Sequence, residues 1–210
     1  MRAKFGTFLM LLGSVLVVAA LALLLYNEQE DQQAGESVQV LMPQIVQAIN
    51  QRQEERGEQN VTEPPVAVPA VTEPADREMA VVDIDGYGYI GFVGIPALNL
   101  ELPVMADWSY PQHKISPCRF TGSLYTDDLV IMAHNYARHF GGLSKLSAGD
   151  TVTFTDMNAV TTVYEVVALD VLEPTALEEM TAGEYDLTLF TCTYGGQSRV
   201  TIRCDRVPEE

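Results

Sequence analysis

The chain has 210 residues, enough for one ordinary domain with appendages, and a formal net charge of −17. From residue 79 onward it carries 18 acidic and 7 basic side chains, so the net charge there is 7 − 18 = −11. A surface that binds nucleic acid needs a basic footprint, and this balance argues against a nucleic-acid partner. The three cysteines form no Cys-x-x-Cys pair, which disfavours a structural zinc site.

An uncharged stretch rich in Leu, Val and Ala occupies residues 8–26 and is long enough to cross a bilayer as one helix. Arg2 precedes it and Glu28 follows it, so the positive-inside tendency predicts a cytoplasmic N-terminus and an extracellular remainder. A cleaved signal peptide is the alternative, but its apolar region is usually shorter and ends in a small-residue cleavage site. We therefore predict an uncleaved single-pass anchor in the cell membrane over residues 1–27.

Residues 28–78 are predicted to form a stalk and a linker. Within them, the stretch 36–56 has apolar residues at helical spacing, which predicts a short amphipathic helix weakened by Pro43. The stretch 57–75 is rich in Pro, Val and Glu, a composition typical of an extended, semi-rigid spacer.

The folded domain is predicted over residues 79–210 and consists mostly of strands. Its short β-rich runs are separated by turn signals, which favours an all-β barrel or sandwich, and the first two runs suit a hairpin. Short helices are expected at 140–146 and 176–180. The predicted strands are 87–96, 99–104, 129–133, 151–155, 162–172, 187–192 and 199–207.

The stretch 187–203 carries the candidate chemistry. Its pattern predicts a strand that ends at Cys192, a Tyr-Gly-Gly-Gln turn, and a returning strand that begins at Arg199. A tight hairpin makes these two residues neighbours. A nearby cation favours the reactive thiolate and can hydrogen-bond the oxygen that becomes negative when the thiolate attacks a carbonyl. An inert thiol buried in the core is the alternative for Cys192.

His134 is the candidate base, because histidine is the usual partner of a catalytic cysteine. It follows the apolar run 129–133 directly and should emerge from the core at the junction of a strand and a loop. His113 and His139 lie in loops, where we expect side chains at the surface or in local hydrogen bonds. Position in the fold, not residue type, selects His134.

The run Thr188-Leu-Phe-Thr-Cys192, followed by Arg199, resembles the sortase signature of Thr-Leu-x-Thr-Cys with a downstream Arg. The run Met132-Ala-His-Asn135 is similar to the family's histidine segment, and 89–104 resembles its opening strands. The resemblance covers essentially all of 79–207. It implies a closed eight-stranded β-barrel with short helices, on the surface of a bacterium, mainly a Gram-positive one.

Sortases cut a Leu-Pro-x-Thr-Gly-like sorting signal between Thr and Gly, hold the Thr acyl group as a thioester and pass it to an amine. The resemblance therefore implies that Cys192 is the nucleophile, that His134 is its acid/base partner and that Arg199 steadies the oxyanion. The expected partners are surface proteins that bear the signal and a cell-wall precursor or another amine acceptor. No cofactor is predicted, and calcium activation is left open. The residues expected to contact the substrate are Thr188, Phe190 and Thr191.

Two departures from the family pattern leave questions open. The interval from Cys192 to Arg199 is short for several branches of the family, so Arg203 is a rival for the arginine role. We prefer Arg199, because Arg203 lies about 13 Å farther along the strand and is expected to supply surface charge or a peripheral contact. No Asp-Pro-aromatic lid motif precedes the domain, and 172–187 is short for the inserted helix of class B enzymes, so the branch, signal and acceptor stay open.

Two other functions compete with this interpretation. A cysteine peptidase of another fold would also use Cys and His, but papain-like enzymes place Cys before His at the start of a helix. A β-barrel binding module with an unreactive thiol is the alternative without catalysis. The sequence also leaves open whether Cys118 and Cys204 form a disulfide in an oxidising compartment.

Overall fold

A computed structural model describes residues 2–62 and 78–208 of the chain. The described part contains nine strands, three α-helices and three short 3₁₀ helices, which are Pro96–Leu98, Phe140–Lys145 and Tyr194–Gly196. The α-helices are α1 (Arg2–Thr62), α2 (Gln112–Ile115) and α3 (Leu177–Met180). The strands are β1 (Val82–Ile84), β2 (Tyr87–Ile95), β3 (Leu100–Met105), β4 (Cys118–Thr121), β5 (Leu129–Met132), β6 (Thr151–Asp156), β7 (Thr161–Leu172), β8 (Leu187–Cys192) and β9 (Arg199–Arg206).

The strands form a closed barrel. The hydrogen-bonded order is β1-β2-β3-β4-β5-β8-β9-β7-β6, and a further pairing of β2 with β6 closes the ring. Because β1 pairs only with β2, the closed part has eight strands, β2 to β9. The pairs β3–β4 and β5–β8 are parallel and the others are antiparallel. The prediction of a closed eight-stranded barrel is confirmed, and the seven predicted strands match observed strands to within one residue at each end.

Closure of the barrel depends on Gly91. This residue lies at a bulge in β2, where the strand pairs with β3 on one side and β6 on the other. Its φ is +146°, and a Cβ atom there would overlap the carbonyl oxygen of Thr155 on β6. Glycine lets the two backbones approach closely at a point where any side chain would hold them apart.

Strands β5 and β8 are covered on both faces. Their inner residues, among them Ile131 and Leu189, belong to the main core inside the barrel. Their outer residues Val130 and Phe190 form a second cluster with Met180 of α3. Parallel strands covered on both sides lack the alternation of buried and exposed residues, and all but the last residue of each strand is buried here. The outer cluster forms the floor on which the candidate site is built.

Helix α1 combines the predicted anchor with the predicted stalk helix. It contains an apolar segment long enough to cross a membrane, by length and composition. Farther along, Leu41, Ile45 and Ile49 are buried in a cluster with residues of β1 to β4, so this part packs on the barrel. The helix continues to Thr62, beyond the start of the predicted extended spacer, because no proline lies between residues 57 and 63 to interrupt it there. The rest of the spacer prediction, 63–75, lies outside the described residues.

Candidate active site

The hairpin of β8 and β9 places a thiol beside a guanidinium. Cys192 and Arg199 are directly opposed Cα partners, as predicted. The turn is closed by the Thr193 N–H, which donates to the Ser198 carbonyl at 2.9 Å. Gly195 and Gly196 have φ values of +80° and +70°, so two consecutive residues adopt a backbone conformation that glycine tolerates best.

The parallel pairing of β5 with β8 brings His134 to the same place. Met132 opposes Phe190, and the Ala133 N–H donates to the Phe190 carbonyl at 3.2 Å. The Thr191 hydroxyl donates to the Ala133 carbonyl at 2.9 Å and ties the two strand ends together. His134 and Cys192 each lie two residues beyond the Met132–Phe190 pair, so both lie at the same edge of the barrel.

The two residues and Arg199 line one cleft of roughly 530 Å³ on the outer face of the barrel. Its floor includes Phe190, and α3 forms part of its wall. Most of the surrounding side chains are apolar or aromatic, and such walls exclude water from a site that holds a few polar groups. The aromatic and apolar lining includes Trp108, Tyr110, Phe120, Met132 and Leu177.

His134 is held among other rings. The Tyr136 ring stacks on it with centroids 3.9 Å apart and planes at 21°, and the His113 ring lies 5.3 Å away at 26°. Burial, followed by the charges of His113 and Lys114, lowers the pKa of His134 to about 4. The imidazole is therefore neutral at neutral pH and can accept a proton.

Arg199 lies partly buried at the mouth of the cleft. Its Nη1 donates to the carbonyl oxygens of Gly196 and Ser198, each at 3.1 Å. These bonds hold the guanidinium against the turn that also presents Cys192. Three N–H groups, on Nε and Nη2, lie outside these two bonds.

Arg203 has a different environment from the one predicted. It is only 4% exposed. Its Nε donates to Asp170 at 3.2 Å, Nη1 to the Met180 carbonyl and the Thr188 hydroxyl at 3.1 Å, and Nη2 to the Glu179 carbonyl at 2.7 Å. The expectation of a surface charge or a peripheral substrate contact is wrong, because α3 and its flanking loop cover this face of β9. Arg203 holds α3 against the barrel.

The three residues expected to contact substrate occupy different positions. Thr188 is 3% exposed and lies away from the cleft, with its hydroxyl bonded to Arg203, so the structure does not support a substrate-binding role for it. Phe190 lines the cleft and packs against Phe120 at a centroid distance of 5.3 Å. Thr191 also lines the cleft, although its hydroxyl is engaged with the β5 end.

The two remaining histidines lie closer to the site than predicted. His113 lies in α2 and not in a loop as predicted. It makes the expected local contact, with Nδ1 3.3 Å from the Ser109 carbonyl, but it also lines the cleft. His139 is fully buried, so a surface position, one of the two environments predicted for it, is wrong. Burial is the main cause that lowers its pKa to about 4. The loop from Tyr136 to His139 folds under α1, which the local sequence did not indicate.

Cys118 and Cys204 are free thiols in the structure. Both are buried, Cys118 in the cluster under α1 and Cys204 in the main barrel core. Burial raises the pKa of each thiol to about 12. Cys192 differs from them because it is partly exposed and lines a cleft.

Comparison with known proteins identifies the family. The family model described as "Sortase domain" matches residues 93–207, more than half of the chain. The chain belongs to the sortase family. This family consists of cysteine transpeptidases, so the match supports an enzyme at the level of the family. Comparison with curated protein sequences gave no match.

Solved sortases share this fold. The crystal structure of sortase C1 from Streptococcus suis is 32% identical, with a TM-score of 0.50, and the match covers 58% of this sortase and 74% of that chain. Sortase C of Streptococcus pneumoniae has a TM-score of 0.54 at 22% identity, and the match covers 83% of this chain and 97% of that chain. Sortase C1 of Streptococcus agalactiae has a TM-score of 0.54 at 24% identity, and the match covers 83% of this chain and 100% of that chain. At the two lower identities the likeness shows the fold alone.

Proposed function

We propose that this sortase cleaves a Leu-Pro-x-Thr-Gly-like sorting signal through a thioester on Cys192 and passes the acyl group to an amine, thereby anchoring surface proteins to the cell wall. The observation that carries this proposal is the convergence of Cys192, His134 and Arg199 on one largely apolar cleft. The acceptor is a cell-wall precursor or another amine, and the reaction proceeds without a cofactor.

Acylation begins with proton transfer. Neutral His134 accepts the thiol proton of Cys192, and the thiolate attacks the carbonyl carbon of the signal's Thr. The carbonyl oxygen becomes negative and accepts hydrogen bonds from the Nε and Nη2 groups of Arg199, which lie outside its bonds to the turn. When the C–N bond breaks, His134 returns its proton to the departing amine and the thioester remains.

The second half of the reaction runs these steps in reverse with a new amine. The amine attacks the thioester carbonyl and loses a proton to His134, and the C–S bond breaks to release Cys192. His134 then returns its proton to the thiolate. The apolar walls formed by Trp108, Phe120 and Phe190 suit the Leu and Pro side chains of the signal.

The site is proposed to lie close to the outer surface of the membrane, with the N-terminus cytoplasmic. The apolar stretch of α1 ends at Tyr26, and Glu30 contacts Tyr136 and Lys114 beside the cleft. Four residues of α-helix rise about 6 Å. The cleft would therefore open near the headgroup region, where a membrane-attached surface protein can reach it.

The experiment combines a panel of sorting-signal peptides with an amine acceptor and the full chain in detergent micelles. We expect a covalent adduct on Cys192 by mass spectrometry and an amine-linked product. Cys192→Ala should abolish both while melting like the parent, because no thioester can form. Cys118→Ala, at a buried thiol outside the cleft, is the matched control and should keep turnover. Peptide turnover by Cys192→Ala would refute the mechanism, and peptide binding without any adduct on the parent would favour a binding module.

A further inference from the structure

Glu30, in α1, joins three elements around the candidate histidine. Its Oε2 accepts hydrogen bonds from the Tyr136 hydroxyl at 2.6 Å and from Lys114 Nζ at 3.1 Å. Its Oε1 accepts one from the Tyr26 hydroxyl at 2.8 Å. These donors, with that of Tyr136 the most important, lower the pKa of Glu30 to about 2, so the carboxylate stays ionised at physiological pH.

Tyr136 links Glu30 to His134. The backbone carbonyl of Tyr136 accepts from the N–H groups of His139 and Gly141 at 3.0 and 2.9 Å, which fixes the main chain. Glu30 holds the other end of the side chain, at the hydroxyl. The ring between these two points stacks on the imidazole of His134 at 3.9 Å. Its position therefore determines where the imidazole lies.

His134 needs such a support. A catalytic histidine is usually oriented by a third group that hydrogen-bonds its second ring nitrogen. Here Nδ1 of His134 is buried, and no hydrogen-bond partner for it is found among the described residues. Packing of rings takes the place of that bond. Lys114, the other barrel residue held by Glu30, belongs to α2, which also carries His113 beside His134.

We propose that Glu30 is a positioning residue for His134, acting from the anchor helix through Tyr136 and Lys114, so that catalysis depends on the first turns of α1 outside the membrane. The proposal rests on the proposed role of His134 as the acid/base group. Glu30 touches no substrate and is not itself catalytic.

The contact of Glu30 with Tyr136 can be separated from the packing of α1 on the barrel. Asp31 independently accepts a hydrogen bond from the Arg138 N–H at 3.2 Å and pairs with its Nε at 3.5 Å. Leu41, Ile45 and Ile49 bury the next turns of α1 against the barrel. Removing the Glu30 carboxylate should therefore leave the helix in place while releasing Tyr136.

The test uses the full chain in detergent micelles and the variants Glu30→Ala, Tyr136→Phe and their double. Each single change should lower kcat by about 10- to 100-fold with KM within about 2-fold, because small displacements of a catalytic group are costly. The double variant should lose no more activity than the less active single variant, because both single changes break the same hydrogen bond, the one between Glu30 and Tyr136. Glu30→Gln keeps an acceptor for the phenol and should recover most of the activity. Matched controls are Glu28→Ala, at an exposed position of the same helix, and Asp31→Ala.

A second readout needs no turnover. The Hε1 proton of His134 should be shifted upfield by the ring current of Tyr136, and this NMR signal should move towards the position of an unstacked histidine in Glu30→Ala but not in Glu28→Ala. An unmoved signal together with kcat within about 2-fold of the parent would overturn the proposal. So would an equal loss in Asp31→Ala, because docking alone would then explain both. Turnover by Cys192→Ala would instead refute the proposed function, and the NMR comparison would still decide the positioning.

Discussion

Two of the three arginines of β9, Arg199 and Arg203, should respond in opposite ways when each is replaced by lysine. Arg199→Lys keeps a positive charge at the mouth of the cleft but loses the planar guanidinium that can direct several N–H groups at once. Its present bonds go to carbonyls of its own turn, so the fold should change little. If Arg199 stabilises the oxyanion, losing such a donor should lower kcat by about 10²- to 10³-fold.

Arg203→Lys should instead act through stability. Four hydrogen bonds from one buried guanidinium fix Asp170, Thr188 and two carbonyls of α3. An ammonium group cannot reach all four, and breaking a buried charged network costs about 3–5 kcal/mol. Because lysine retains the charge and some of the bonds, we expect a loss of about 2–4 kcal/mol. For a domain of this size that lowers Tm by about 10 °C.

The assay measures Tm and transpeptidation for both variants with one peptide and one amine. Arg206→Lys is the matched control, because Arg206 lies on the same strand in a partly exposed ion pair with Asp127, a kind of contact worth less than about 1 kcal/mol. Arg203→Lys that melts like the parent would refute the structural role. Near-parental turnover by Arg199→Lys would refute the oxyanion role, and collapse of turnover in a stable Arg203→Lys would transfer that role to Arg203.

Two further predictions concern thiol reactivity and acid stability. Iodoacetamide should label only Cys192 in the folded protein and all three cysteines after denaturation, because burial keeps Cys118 and Cys204 protonated. If mass spectrometry found Cys118 or Cys204 labelled in the folded protein, the burial of that thiol would be contradicted. Acid should destabilise the fold between pH 6.5 and 4, because His139 binds its proton in the unfolded chain before it does in the folded one. In this pH range the free energy of unfolding, measured by chemical denaturation, should depend on pH less steeply in His139→Phe than in the parent, by on the order of 1 kcal/mol per pH unit. An unchanged slope would contradict a lowered pKa for His139.

The barrel strands could be predicted because their signals are local. Each of the seven predicted strands has an apolar or β-branched run bounded by turn residues, and the Tyr-Gly-Gly-Gln turn fixes the pairing of Cys192 with Arg199 within a few residues. Strands β1 and β4 carry no strand signal because they have only three and four residues and, unlike the four-residue β5, neither is a continuous apolar run. Their pairing depends on neighbours already in place.

The surroundings of the site could not be predicted because they come from distant parts of the chain. Arg203 alternates with core residues along β9, which places it on the outer face, but its burial depends on α3 and on Tyr185 in the segment before β8. Glu30 lies 106 residues before Tyr136, and no local pattern pairs them. The signal available was the stretch of spaced apolar residues in the stalk. That stretch predicts a short amphipathic helix in the stalk, and an apolar stripe on a helix needs a surface to cover it.

The topology of the barrel explains how three candidate catalytic groups from separate strands meet at one edge. Parallel strands end at the same side of a sheet, so the pairing of β5 with β8 brings His134 and Cys192 together at that edge, each two residues beyond the last β5–β8 pair. Antiparallel β9 begins where β8 ends, and its first residue is Arg199. Side chains alternate along strands, so a slip of one residue between β8 and β9 would turn one of the pair into the barrel core. The hydrogen bond from Thr191 to Ala133 opposes a slip between β5 and β8, which makes this buried hydroxyl important for the register of the candidate site.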